Sequence, residues 1–245
     1  MRRIKLIVAY DGTEYSGWQI QPEAPTIEMY LDKAIHELTG ENVHVTGASR
    51  TDAGVHAYGN VAVFDTESTI PGDRFTFALN RFLPDSIVIQ DSWEVSVDFH
   101  PRHCDTRKTY EYRILNTAVP LPQKRNFTWH VAGSIDIEKM KEAAAYIVGE
   151  HDFKSFCCVR TQAESTVRTI YSLEVLQEGS EILICIKGNG FLYNMVRIIA
   201  GTLVEVGLGK IKPEAITGII ESKDRQKAGK TLPPYGLYLV EVNYN

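Results

Sequence analysis

A chain of 245 residues, 44% hydrophobic and 23% charged, carries enough apolar material to bury a large core, as one big domain or as two ordinary lobes. That composition excludes a disordered chain, and no apolar run approaches the ~18 residues of a membrane-spanning helix. The formal net charge of −5 excludes a chain that holds nucleic acid by its overall field, so a nucleic-acid partner would need a local basic surface.

Along the chain, Met1 to Tyr10 places basic residues ahead of apolar ones, but Lys5 and Asp11 bracket too short a run for a signal peptide. Ile4, Leu6, Val8 and Tyr10 alternate as a half-buried strand. Thr26 then caps an amphipathic helix carried by Tyr30, Leu31, Ala34, Ile35 and Leu38 and stopped by Gly40. Strands are expected at about 43–46 and 61–64, a short helix at 75–79 and a strand near 87–89, which complete a first lobe. A strand at 109–114 opens the second lobe, and Asp136 caps a helix through Met140, Ala143, Ala144 and Ile147 that Gly149 ends. A long hairpin follows, alternating over 167–175, turning at 177–180 and returning over 181–187. Helices are expected near 193–206 and 213–222, the latter with proline in its first turn, and a closing strand at 238–242. Hairpins with helices set to one side read as α+β rather than a doubly wound parallel sheet. No composition shift marks a linker; the boundary is placed within 99–106, giving lobes 1–105 and 106–245.

Four cysteines, Cys104, Cys157, Cys158 and Cys185, form neither a C-x-x-C pair nor a secreted-type spacing, so reduced thiols in a cytoplasmic protein are expected. His100 and His103 lack a third ligand in register, and no metal site is read from them. Between Pro101 and His130, six basic residues (Arg102, Arg107, Lys108, Arg113, Lys124, Arg125) stand against two acids, with Tyr110, Tyr112, Phe127 and Trp129 among them. Such a segment is either a solvated strand face or a surface that grips phosphates. The acids concentrate elsewhere, at 136–150 and 174–181.

Three stretches carry possible chemistry. The most informative is Gly47-Ala48-Ser49-Arg50-Thr51-Asp52-Ala53-Gly54-Val55-His56-Ala57, too polar and too glycine-rich to be core. An aspartate in that setting is a turn former or a working group. The second is Phe99-His100-Pro101-Arg102 followed by Arg107-Lys108-Thr109-Tyr110-Glu111-Tyr112, where a tyrosine on an alternating strand is ordinarily core or sheet surface. The third is Gly188-Asn189-Gly190-Phe191-Leu192-Tyr193-Asn194-Met195-Val196-Arg197, whose glycines let a strand turn into a helix with Met195, Ile198, Ile199 and Leu203 on its inner face. Arg197 falls amid those apolar residues, where it either snorkels outward or is held inward by a carboxylate.

These stretches, with Pro233-Pro234-Tyr235-Gly236-Leu237-Tyr238-Leu239, resemble the signature blocks of the tRNA pseudouridine synthase A family across nearly the whole chain. Arg50 to Ala57 matches the first block residue for residue; Ser49 departs from it, standing where many members carry glycine. The resemblance implies an α+β fold of two lobes, each with a mostly antiparallel sheet and helices on one side, and a catalytic cleft between the lobes. It also implies isomerisation of uridine to pseudouridine at positions 38–40 of the tRNA anticodon stem-loop, without cofactor or metal. The uracil would leave its ribose at N1, rotate, and rejoin through C5. Asp52 corresponds to the family's catalytic residue, and would either attack covalently or take a proton from the ribose. Tyr110 corresponds to the tyrosine that stacks on the target base, which must be given a new stacking surface once extruded from folded RNA. Arg197 would pair with Asp52 and keep it ionised, since an adjacent arginine lowers a carboxylate pKa by ~1–3 units. Arg50, Arg102, Arg107 and Lys108 would bind tRNA phosphates. Family members are cytoplasmic homodimers whose partner subunit helps orient the RNA.

Two other classes fit less well. A non-catalytic RNA-binding module has no need of the Asp52 and Arg197 match. A phosphate-handling aspartate enzyme would want a second acid two residues on and a nucleotide loop, whereas Ala53-Gly54 follows Asp52 and Gly209-Lys210-Ile211 lacks the Ser or Thr.

Overall fold

The structure, a computed structural model, describes residues 1–158 and 163–244. Its elements run β1 (Arg2–Tyr10), α1 (Ile27–Thr39), β2 (Thr46–Gly47), β3 (His56–Thr66), α2 (Phe75–Leu79), β4 (Ile87–Val95), β5 (Thr106–Asn116), β6 (Trp129–Val131), α3 (Ile137–Ala145), β7 (Gly149–Asp152), β8 (Val167–Glu178), β9 (Glu181–Gly188), α4 (Met195–Gly207), α5 (Ala215–Ser222) and β10 (Leu237–Tyr244). Pairing is mostly antiparallel, and the class is α+β. The chain forms two compact units, Met1–Thr106 joined by the C-terminal stretch from Tyr238, and Arg107–Leu237. A lobe running unbroken from 106 to the C-terminus therefore differs from this division, because the last strand pairs with β3 of the first unit.

In the first unit β1 is central, antiparallel to β3 on one side and β4 on the other. β2 and β10 both pair with β3, the latter in parallel through Tyr238 opposite His56 and Leu239 opposite Ala57. The period-2 alternation of β1 buries Ile4, Leu6, Val8 and Tyr10, as expected of a half-buried strand. α1 buries the stripe Ile27, Leu31, Ala34 and Ile35, each large side chain contributing ~1.5–3 kcal/mol. Its start is set by Thr26, whose hydroxyl accepts from the Met29 amide at 3.4 Å, and its end by Gly40 in the left-handed conformation.

In the second unit β9 lies between β5 and β8, β7 flanks β8, and β6 runs parallel to the far end of β5. α3 packs on β8 and on α4. α4 is buried at eleven of its 13 positions, Arg197 and Glu205 being the exceptions, as befits a helix apolar all round. A chain segment from Ala228 to Leu232 runs directly against it. A Cβ on Gly201 would lie 1.9 Å from the Lys230 carbonyl oxygen, so only glycine permits that approach. Thr202 secures the crossing, accepting from the Gly229 amide (2.9 Å) and donating to the Ile198 carbonyl (2.8 Å).

Several expected boundaries moved. The strand expected at 43–46 shrinks to Thr46–Gly47, because the Asp32 carboxylate takes the Val45 amide at 2.8 Å. β3 starts at His56, well before 61. α3 ends at Ala145, and Gly149 opens β7 instead of closing the helix. α4 starts at Met195, since Asn194 at φ 64° lies outside helical space.

Candidate active site

The Asp52 segment belongs to the first unit and is a clamped turn between β2 and β3. The Val55 amide donates to the Asp52 carbonyl (3.1 Å), closing the turn. On its near side the Trp18 amide donates to the Thr51 carbonyl (3.0 Å) and the Gly54 amide to the Tyr15 carbonyl (3.2 Å). The Thr51 hydroxyl is bonded to the buried Tyr10 hydroxyl at 2.7 Å. Asn60 holds the loop's entrance in two directions, donating to the Ser49 carbonyl (2.9 Å) and accepting from the Ser49 amide (3.3 Å). These bonds hold the loop from several sides, and the Asp52 side chain stands half-buried on that frame. Arg50, two residues earlier, is exposed.

His56, at 2% exposure, ties the loop's exit to the β1 end. Its Nδ1 accepts from the Gly12 amide at 3.1 Å, and the same atom lies 3.2 Å from Asp11 Oδ1. One nitrogen cannot accept and donate at once, and Asp11 Oδ1 already receives the Thr13 amide and hydroxyl. The Gly12 bond is the one that holds. Ser49, the departure from the family block, is not at positive φ, so its backbone does not require glycine; its hydroxyl is buried with no partner among the described residues.

No local pattern marks Gly17, yet it sets the fit of this loop. It lies at φ 94°, and a Cβ there would meet the Thr51 carbonyl oxygen at 2.6 Å and the Ala53 nitrogen at 3.2 Å. Gly17→Ala is expected to lower stability by about 2 kcal/mol or more, about 4–8 °C in melting temperature, and to push the Asp52 turn out of place. Gly218→Ala on α5, where nothing lies within 4 Å, is the matched control and should be neutral or stabilising. Equal melting shifts for the two variants would contradict this reading of the loop.

Arg197 lies in the second unit, in the first turn of α4. Of the two readings for it, outward snorkelling is not what is seen. Its Nε donates to the Leu232 carbonyl at 2.6 Å and an Nη to the Asn194 Oδ1 at 2.8 Å, while the Leu232 amide donates back to the Arg197 carbonyl at 3.3 Å. Cations are unfavourable at a helix N-terminus by ~0.3–1 kcal/mol, so this guanidinium is held against the local field. The crossing at Gly201 is what brings Leu232 to it. Asn194 and Leu232 are positioning groups that no local sequence pattern announced.

Tyr110, on β5 of the same unit, shares a strand face with Tyr112 and Ile114. Those two are fully buried, and Tyr110 is only half-buried. Its ring meets Phe191 edge to face, centroids 5.1 Å apart at 81°. The second and third stretches therefore come together here. Tyr112 instead serves structure: its hydroxyl donates to the Pro233 carbonyl at 2.8 Å, anchoring the Pro-Pro segment, and burial raises its phenol pKa above the ordinary range.

Among the basic residues between 101 and 130, Arg113 pairs with Glu111 at 2.6 Å and Lys124 with Glu181 at 2.7 Å. Arg102 and Arg107 are exposed and Lys108 half-buried, with Arg107 set over the Tyr171 ring at 5.1 Å. His100 and His103 stack on each other with centroids 3.9 Å apart. Among the described residues no group of three or more His, Cys, Asp or Glu could hold a metal ion, and no helix is long and apolar enough to cross a membrane. All four cysteines are unpaired with one another, and burial pushes the Cys157 thiol up in pKa.

The family model described as tRNA pseudouridine synthase matches residues 6–103 and 143–245. Asp52 and Phe99–Arg102 lie in the first matched stretch and Arg197 in the second, whereas Arg107, Lys108 and Tyr110 fall between them. The chain is 52% identical to the tRNA pseudouridine synthase A of Acetivibrio thermocellus over 244 residues and 52% identical to that of Ruminiclostridium cellulolyticum over 245, each alignment covering 100% of both chains. A protein of the same name from Brevibacillus brevis is 49% identical over 244 residues, again with 100% coverage of both. With matches of that extent in both units, the chain belongs to the tRNA pseudouridine synthase family, a family of isomerases.

Proposed function

We propose that this chain converts uridine to pseudouridine in tRNA, at positions 38–40 of the anticodon stem-loop, with Asp52 as the catalytic residue. The observation that carries the reading is the Asp52 turn, a carboxylate on a loop fixed at Trp18, Tyr15 and Tyr10, in a chain about half identical to synthases over its full length. The reaction breaks the bond between ribose C1′ and uracil N1, forms one between C1′ and C5, releases the C5 proton and leaves a proton on N1. A carboxylate serves it by either of two routes, covalent attack or removal of a ribose proton. Tyr110 would receive the extruded uracil, its ring already braced by Phe191. Arg197 would supply the positive charge that keeps the reacting carboxylate ionised, for which its two-acceptor anchorage pre-orients it. The enzyme would act in the cytoplasm as a homodimer, without metal or organic cofactor. Mapping of pseudouridine in tRNA transcripts carrying a single uridine at 38, 39 or 40 tests the assignment: modification at those positions is expected, and modification confined to other sites would contradict it.

Phosphate contact would come from Arg50, Arg102, Arg107 and Lys108. A handful of such contacts gives a slope of log affinity against log salt of several units, about −0.7 to −0.9 per phosphate. Reversing Arg107 and Lys108 to Glu is expected to weaken tRNA binding and flatten the slope. Glu178→Lys, on an exposed hairpin position, should change little. Tyr110→Leu should abolish turnover and leave the slope unchanged, because stacking is not an ionic interaction. Filter binding across a salt series decides it; a wild-type slope near zero would place the RNA elsewhere.

A further inference from the structure

β3 carries an aromatic residue with a geometry that the reaction so far does not use. His56, Tyr58 and Asn60 share one face of the strand by its two-residue period. The Tyr58 ring lies flat on Tyr238, centroids 5.3 Å apart at 12°, and Tyr238 in turn lies on His56, 4.8 Å apart at 22°. The column runs from a buried histidine, through a buried tyrosine, to Tyr58, which is 47% exposed. The parallel pairing of Tyr238 with His56 fixes the column's foot, so the Tyr58 plane is set before any ligand arrives.

Its neighbours define what it could meet. His56 and Asn60 hold the two ends of the Asp52 loop, through Gly12 and Ser49, and Tyr58 lies between them on the strand. The exposed Arg50 belongs to the same loop. When a base is extruded from folded RNA, the base next to it loses its stacking partner as well. A flat, pre-oriented ring is the surface that replaces it, and orientation fixed in advance lowers the entropy lost on binding.

We infer that Tyr58 is a nucleobase-stacking residue of the RNA-binding surface, taking the base that neighbours the extruded uridine. The inference rests on the tRNA-isomerase reading above. Its partner is a nucleobase of any identity, since every base offers a π face, so Tyr58 contributes affinity and placement rather than sequence choice.

The test uses the full-length enzyme and an unmodified tRNA transcript. Tyr58→Leu is expected to weaken binding about 5- to 150-fold with an unchanged salt slope, and Tyr58→Phe to bind within about twofold of wild type. Tyr58→Trp adds one indole to the three already present, and that added emission should be quenched as tRNA saturates the protein. A Leu variant that binds as wild type, or added emission that saturating tRNA leaves unchanged, overturns the inference. A Leu variant that fails to fold leaves the Phe and Trp variants to decide. Pseudouridine formation by the wild type is scored on the same transcript, so a protein that binds and quenches but forms none overturns the isomerase reading and not the stacking role.

Discussion

Asp52→Asn is expected to abolish pseudouridine formation while tRNA affinity stays within about tenfold, ~1.4 kcal/mol. The substitution keeps the side chain's size and removes its charge and its capacity to take a proton or attack. It keeps the bonds made through the Thr51 and Asp52 carbonyls, the Gly54 and Val55 amides and Asn60, which do not use the carboxylate. Phosphate contacts and chemistry are then separable, one surviving and the other not. Turnover above a few per cent in the purified variant would remove Asp52 from the chemistry.

Arg197 should come second in effect. Arg197→Met removes the guanidinium and leaves the Leu232 carbonyl and the Asn194 side chain without their donor, a cost of ~1–3 kcal/mol in stability for a buried group left unsatisfied. Activity is expected to fall by orders of magnitude, well beyond what that loss of stability explains. Arg197→Lys separates the two effects. An ammonium restores charge but cannot serve two acceptors in one plane, so the Lys variant should fold better than Met and still turn over poorly. Single-turnover assays at temperatures where all three proteins are folded read this directly; a Lys variant as fast as wild type would show that the planar fork is not needed.

Local chemistry in the sequence reached far. The Thr26 and Asp136 caps, the Gly40 stop and the 167–187 hairpin all rest on contacts within a few residues, and each is found where the pattern placed it. What eluded the sequence is non-local. β3 extends back to His56 because β10, nearly two hundred residues later, pairs there, and the same pairing returns the C-terminus to the first unit. β6 and β7, of 3 and 4 residues, are too short to show a period. At the site, the resemblance named Asp52, Tyr110 and Arg197, but the groups that fix the Asp52 loop and the guanidinium were invisible. Gly17 acts through a backbone contact with Thr51, Leu232 through a carbonyl, and Asn60 through its amide, and none of these leaves a mark in hydrophobic pattern.

The proposed reaction moves a uracil from N1 to C5 attachment through Asp52. Joining the ribose to C5 displaces the hydrogen there, so tRNA labelled with tritium at uridine C5 reports the reaction in the solvent. Wild-type enzyme is expected to release tritium to water in step with pseudouridine formed, and Asp52→Asn to release none while still retaining the labelled tRNA on a filter. No release by the folded, tRNA-bound wild type, or equal release by the two proteins, would contradict it.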